Sequence, residues 1–186
     1  MRSLRLVARL DIKGANLIKG VNLEGLKIIG EPNQFALRYY RYGIDELIFM
    51  DVVASLYGRN QLGDIIKKAT KNIFIPITVG GGIRSINDIR EILVNGADRV
   101  SINTAAVNDK AFIKESVKIF GSSTITITIE TLKIGEKYKV YTDSGRTETN
   151  IDVFDWIKEI QEMGVGEIIL TSINNEGTGK GFDLNL

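Results

Sequence analysis

One short pattern returns along this chain. Gly43-Ile44-Asp45-Glu46-Leu47-Ile48 recurs as Gly164-Val165-Gly166-Glu167-Ile168-Ile169, and more loosely as Gly96-Ala97-Asp98-Arg99-Val100. Each copy sets a helix-ending glycine shortly before a β-branched run, the αβ junction of a parallel sheet. Strands are expected over 4–11, 45–51, 77–79, 98–103, 124–130 and 167–171. Between them lie apolar stripes at helical spacing: Leu62, Ile65, Ile66 and Ala69; Ile86, Ile89 and Leu93; Val153, Ile157 and Ile160. Pro32 suits a first helical turn, Ser85 with Asp88 resembles a capping box, and Pro76 sits where a strand begins and a missing N–H does least harm. Alternating β and α elements leave two architectures, an open doubly wound sheet or a closed (β/α) barrel.

Side-chain parity favours the barrel. Successive strand residues point to opposite faces, and an open parallel sheet under helices should be apolar on both. Here Thr124, Thr126, Thr128 and Glu130 share one face while Ile125, Ile127 and Ile129 share the other. Arg5, Val7, Arg9 and Asp11 oppose Leu6, Ala8 and Leu10; Arg99, Ser101 and Asn103 oppose Val100 and Ile102. One face is greasy for helices and the other is suited to a partly hydrophilic interior. A (β/α)₈ barrel has eight strands and typically ~250 residues, whereas this chain has 186 and six expected strands. The expectation is therefore an α/β chain of the (β/α)₈ TIM-barrel family, present as an incomplete six-strand portion. Residues 1–186 would form a single barrel domain lacking the last two βα units.

Composition narrows the chemistry. Lys and Arg total 24 against 23 Asp and Glu, so no global field collects nucleic acid. With no His and no Cys, His-assisted triads, thiolate nucleophiles, Cys/His zinc sites and disulfides are excluded. Acid–base work falls to Asp, Glu, Lys or Tyr, and no metal or cofactor is expected. The amino-terminal run carries Arg2, Arg5 and Arg9 within its apolar residues, which fits neither a signal peptide nor a membrane span. The expectation is a cytoplasmic protein with no nucleic-acid or membrane partner.

Barrel sites lie at the carboxyl ends of strands. Asp11 and Glu130 end the first and fifth expected strands, on the inward parity and opposite each other in an eightfold ring. Two carboxylates across a cavity can share general acid and general base roles; alternatively each caps a loop or pairs with a lysine. Arg9 shares Asp11's face within reach of an ion pair. Gly80-Gly81-Gly82 runs from a strand into a helix start, where bare N–H groups form an anion cradle, or simply a tight turn. Ser101, Asn103 and Thr104 would add donors beside it. At the opposite end, Arg5, Glu46, Arg99 and Glu167 open four strands with inward parity, either as a neutral ring of charge or as solvated strand starts.

Several segments together resemble the cyclase subunit family of imidazole glycerol phosphate synthase. They are Leu10-Asp11-Ile12-Lys13 with Lys19-Gly20-Val21-Asn22, Phe74-Ile75-Pro76-Ile77-Thr78-Val79-Gly80-Gly81-Gly82-Ile83-Arg84-Ser85, the run from Gly96 to Val107, and Glu167-Ile168-Ile169-Leu170-Thr171-Ser172. The resemblance implies a lyase of histidine biosynthesis. Ammonia from a glutaminase partner, docked at the amino-terminal face of the barrel, would rise through the interior to a phosphorylated ribonucleotide and close its imidazole ring. It implies Asp11 and Glu130 as catalytic carboxylates. Lys19, Gly81, Gly82, Ser101, Asn103, Thr104, Thr171, Glu176 and Gly177 fall around substrate and phosphate, and Arg5, Glu46, Arg99 and Glu167 at the ammonia gate.

Three departures stand out. Glu130 replaces the family's second catalytic Asp, Asn174 and Glu176 stand where Asp is usual, and Arg9 puts a bulky cation where a small residue is expected. Such drift suggests an alternative, a relative delivering ammonia to an amidotransferase in surface-polysaccharide biosynthesis. A non-enzymatic scaffold that docks and activates the glutaminase is a third.

Overall fold

A computed structural model describes residues 4–54 and 62–186; Arg2 of the amino-terminal run lies outside the described residues. The chain divides into two compact units, 1–18 with 28–100, and 19–27 with 101–186.

In the first unit, β1 (Val7–Lys13) runs parallel to β4 (Glu46–Asp51), with Val7 opposite Glu46 and Asp11 opposite Met50. β4 runs parallel to β5 (Ile77–Gly80), with Leu47 opposite Ile77. β1 also turns back through Gly14, at φ +59°, into the antiparallel β2 (Asn16–Val21), which leads to β3 (Glu24–Gly30). The fully described helices of this unit include α1 (Pro32–Arg41), α2 (Gly63–Ala69) and α3 (Ile86–Val94). Their starts follow the sequence signals. Pro32 occupies the first turn of α1 beneath a Glu31 cap on Gln34 N–H. Ser85 and Asp88 close both halves of the expected capping box. Leu10, Ile12, Leu47, Phe49, Ile66, Ile77 and Ile89 are buried between strands and helices, each contributing about 1.5–3 kcal/mol of apolar burial.

The recurring junctions have a common mechanism here. Asp45 N–H donates to Leu6 O at 2.9 Å, and its carboxylate accepts Leu6 N–H at 2.7 Å. Asp98 repeats this on Ile77, with N–H to O at 2.9 Å and carboxylate from N–H at 2.8 Å. Each Gly-x-Asp is thus a two-pronged clamp on the start of the preceding strand.

β6 (Arg99–Ile102) carries the chain into the second unit. There β7 (Ile125–Ile134) pairs in parallel with β10 (Glu167–Ser172), Glu130 opposite Thr171. It also pairs antiparallel with β8 (Lys137–Thr142), Glu130 opposite Tyr141, and β8 pairs with β9 (Thr147–Asp152). The helices are α4 (Thr104–Asn108), α5 (Lys110–Phe120) and α6 (Val153–Glu162), with a 3₁₀ turn at Ser122–Thr124. From Ile125 to Thr131 every β7 residue is buried, the isoleucines on one face and Thr126, Thr128 and Glu130 on the other. The third junction copy carries Gly166 in place of Asp. Its N–H donates to Ile125 O, but Ile125 N–H is taken by Ser122 O, and any side chain on Gly166 would run into that same carbonyl.

The result is an α/β fold with a mixed parallel and antiparallel sheet, ten strands among the described residues. Boundaries shift by a residue at several strand ends and by more in β1 and β7. β1 starts at Val7, so Arg5 precedes the strand; β7 continues four residues past Glu130 because it gains β8 as an antiparallel partner. The antiparallel strands went unread because they sit in polar segments with turns at Gly14, Asn22-Leu23, Gly135 and Asp143-Ser144-Gly145, all at positive φ. No helix among the described residues is long and apolar enough to cross a membrane.

Candidate active site

Three of the four expected gate residues meet in the first unit. Glu46 is 6% exposed and lies between two guanidinium groups. Arg5 Nη1 donates to Oε1, and Arg99 Nη1 donates to Oε2 at 2.8 Å. Arg5 is the outer partner, its side chain 47% exposed against 23% for Arg99. Glu46 follows the Asp45 clamp and Arg99 follows the Asp98 clamp, so the junction repeat places both charges at strand starts. Glu167 holds the equivalent position in β10, in the second unit, opposite Thr126.

Asp11 is buried on β1, where Arg9 Nε donates to Oδ1 at 2.7 Å. At the end of β5, Gly81 and Gly82 adopt φ +101° and +70°. A Cβ on Gly81 would strike Asp51 O, and one on Gly82 would lie 2.7 Å from the Ala54 Cβ. The glycines therefore serve close packing against the end of β4 as well as the turn. The N–H groups of Arg84 and Ser85 both donate to Asp88 Oδ2, so these helix-start donors are already committed within the capping box.

The second unit assembles most of the expected substrate residues. Glu130 is 6% exposed on β7 and accepts Asn103 Nδ2–H at 3.1 Å; the same amide also reaches Tyr141 O at 3.3 Å. Asn103 Oδ1 is buried without a hydrogen-bond partner. Below them, Ser101 and Thr128 hydroxyls share a 2.5 Å hydrogen bond, and Thr126 Oγ1 is buried without one. Thr171 lies beside Glu130 across the β7–β10 ladder. Thr104 Oγ1 accepts Asp143 N–H at 3.0 Å, tying the start of α4 to the tip of the β8–β9 hairpin.

Lys19 and Glu176 form an ion pair. Around it, Asn22 N–H donates to Glu176 O at 2.7 Å, and Asn22 Nδ2 donates to Ile173 O and Asn174 O. Gly177, at φ +72°, brings its Cα against Gly20 O, where a Cβ does not fit. The turn between β2 and β3 is thus fastened to the loop after β10. Asn22 and Tyr141 were not singled out from sequence. For Asn22 the available signal was its position in the Lys-Gly-x-Asn turn, and for Tyr141 the polar–apolar alternation of 137–142.

Farther out, Asp183 accepts from Ser172 Oγ at 3.0 Å and from Tyr138 hydroxyl. Burial alone raises the Asp183 pKa, but hydrogen bonds from Ser172, Tyr138 and backbone N–H groups outweigh it and hold the carboxyl below its usual value. Burial, then the Asp183 partner, pushes the Tyr138 phenol up; burial, then Glu148, does the same to Tyr141. No group of three or more metal-binding side chains occurs among the described residues.

The first unit thus holds buried Asp11 and Asp51 toward strand carboxyl ends and a paired charge cluster at the amino end, and the second holds buried Glu130 with donors beside it. That donor set suits proton transfer on a polar, anionic small molecule. Similarity to known proteins extends along the whole chain. The family described as histidine biosynthesis protein matches residues 5–186. Imidazole glycerol phosphate synthase subunit HisF of Legionella pneumophila is 54% identical over 187 residues, covering 100% of this chain and 88% of its own. HisF of Thermococcus onnurineus is 42% identical over 186 residues, 100% of this chain and 74% of its own. HisF of Campylobacter concisus is 44% identical over 182 residues, 98% and 72%. The protein belongs to the histidine biosynthesis protein family, within its imidazole glycerol phosphate synthase HisF branch.

Proposed function

We propose that this protein is the cyclase subunit of imidazole glycerol phosphate synthase, a lyase of histidine biosynthesis that closes the imidazole ring of a phosphorylated ribonucleotide with ammonia from a glutaminase partner. The observation that carries this is the 54% identity to a HisF subunit across the whole chain. The synthase is preferred to the polysaccharide-linked conduit because the similar proteins bear the synthase name. A (β/α)₈ barrel lineage is the architecture proposed, with β1, β4, β5, β6, β7 and β10 as its parallel strands.

Within this reading Asp11 and Glu130 carry the acid–base steps: one carboxylate removes a proton as nitrogen attacks, the other returns one as the ring closes and the leaving fragment departs. Asn103 holds Glu130 in place, and its unpaired Oδ1 is available to a substrate N–H or O–H. Lys19 supplies positive charge for a phosphate. Gly81, Gly82, Ser101, Thr104, Thr171, Glu176 and Gly177 shape the remaining substrate contacts. The glutaminase is assigned to the amino-terminal ends of the strands. Leu4, Leu6, Tyr42, Phe74 and Val94 support that face, all of them large, strongly exposed and located just ahead of β1, β4, β5 and β6. Arg5, Glu46, Arg99 and Glu167 gate ammonia entry there.

The test supplies ammonium salt and the ribonucleotide to the purified protein and follows imidazole glycerol phosphate by mass spectrometry. Turnover that Asp11→Asn abolishes is expected, with Glu130→Gln equally inactive. Absence of product from the unsubstituted protein, or its persistence in Asp11→Asn, refutes the assignment.

A further inference from the structure

β1 holds a cation that the ring-closing chemistry does not itself require. Arg9 lies two residues before Asp11 on the same face of the strand. Both side chains are largely withdrawn from solvent, 18% and 9% exposed, and Nε donates to Oδ1 at 2.7 Å. Successive same-face residues stand roughly 6.6 Å apart along a strand, so the Arg9 stem must run along β1 toward Asp11 to make this contact. A guanidinium kept from water is costly unless its donors are used. Its planar fork also differs from an ammonium in fixing the plane of the carboxylate it meets, not merely its position. Asp has one rotatable bond between backbone and carboxylate plane beyond χ1, and the Nε–Oδ1 contact restrains it.

We propose that Arg9 is a positioning residue for Asp11, fixing the orientation of the carboxylate that the cyclase reading makes catalytic. The proposal rests on that reading. It assigns a role to a residue at which this chain departs from the pattern its sequence resembles.

Arg9→Ala, Arg9→Lys and Arg9→Met are compared with the unsubstituted protein in the ammonium-dependent assay. Loss of orientation lowers kcat by about 10–100-fold, the scale of a misplaced catalytic group, with KM nearly unchanged because Arg9 contacts Asp11 rather than substrate. Arg9→Lys keeps the charge without the fork and falls between. Millimolar guanidinium restores part of the Arg9→Ala rate and leaves the unsubstituted protein unaffected. Should circular dichroism show Arg9→Ala unfolded, Arg9→Met, which keeps the stem's packing, takes its place with the same expectations. Unchanged kcat in the folded variant, a loss confined to KM, or no guanidinium response overturns the role. An unsubstituted protein without turnover refutes the cyclase reading and the role with it, whereas turnover with an indifferent Arg9 refutes the role alone.

Discussion

Glu46→Gln probes the charge cluster with the fewest side effects, because it keeps the size of the side chain and removes only its charge. Two guanidinium groups then face a neutral amide. At an effective dielectric constant of ~20, unit charges ~4 Å apart attract by about 4 kcal/mol, largely offset by the cost of withdrawing them from water. Breaking a fully buried pair costs roughly 3–5 kcal/mol. Here the carboxylate is buried but Arg5 is nearly half exposed and Arg99 about a quarter, so both cations recover hydration. The expected loss is about 1–3 kcal/mol, a fall in Tm of roughly 3–9 °C for a chain of this size. Urea unfolding followed by circular dichroism gives the difference directly. Salt separates the two arms: the Arg5 contribution should fade at high ionic strength while the Arg99 contribution persists. The double variant Glu46→Met with Arg99→Met should recover most of the loss, since an apolar pair of similar volume replaces a stranded charge. A Glu46→Gln stability within ~0.5 kcal/mol of the unsubstituted protein, or a double variant no better than Glu46→Gln, would refute the reasoning.

Further outcomes are open to measurement. Gly177→Ala should cost about 2 kcal/mol or more and weaken substrate binding, because the left-handed backbone and the Gly20 carbonyl leave no room for a methyl group; thermal melts and a KM determination check both. Glu130→Asp shortens the carboxylate by one methylene and should break its 3.1 Å contact with Asn103, changing kcat by up to ~100-fold in either direction; an unchanged kcat counts against Asn103 as its anchor. Asp183, held below its usual pKa, contributes stability above the unfolded carboxyl value that is lost as pH falls through its folded value. Tyr138, held above its usual value, contributes stability below ~10 that is lost as pH climbs through its folded value. Asp183→Asn should flatten the acid arm of the stability profile, and Tyr138→Phe the alkaline arm.

The parallel strands and their helices were legible because hydrophobic period and capping chemistry act over a few residues. Ser85 and Asp88 announce their box, and Ile125, Ile127 and Ile129 announce a greasy face. Parity put Arg5, Glu46, Arg99 and Glu167 on one face but left a ring of charge and solvated strand starts both open; the hydrogen bonds of Glu46 to Arg5 and Arg99 join three of them. The hairpins were not. Their strands carry Lys, Thr and Glu on open faces, and the turns that close them depend on positive φ at Asn22, Leu23, Asp143 and Ser144, which non-glycine residues rarely advertise. Nor was the engagement of Asp88 with Arg84 N–H, or of Thr104 with Asp143 N–H, visible; each joins groups that sequence alone leaves as candidate anion donors.

The Gly-x-Asp clamps settle a problem that parallel strands share. A hairpin fixes alignment through its turn, but parallel neighbours are joined by a helix long enough to permit a slip, and a slip of one residue inverts every side chain. Asp45 and Asp98 act as lateral keys, each reading both polar groups of a single residue at or just before the start of the adjoining strand, so that an offset chain loses two bonds at once. At Gly166 only the N–H to Ile125 O remains across the strands, and Ile125 N–H is satisfied locally by Ser122 O. The chain thus writes its alignment marks outside its strands, which leaves the inward positions of the strands themselves at liberty to vary with chemistry.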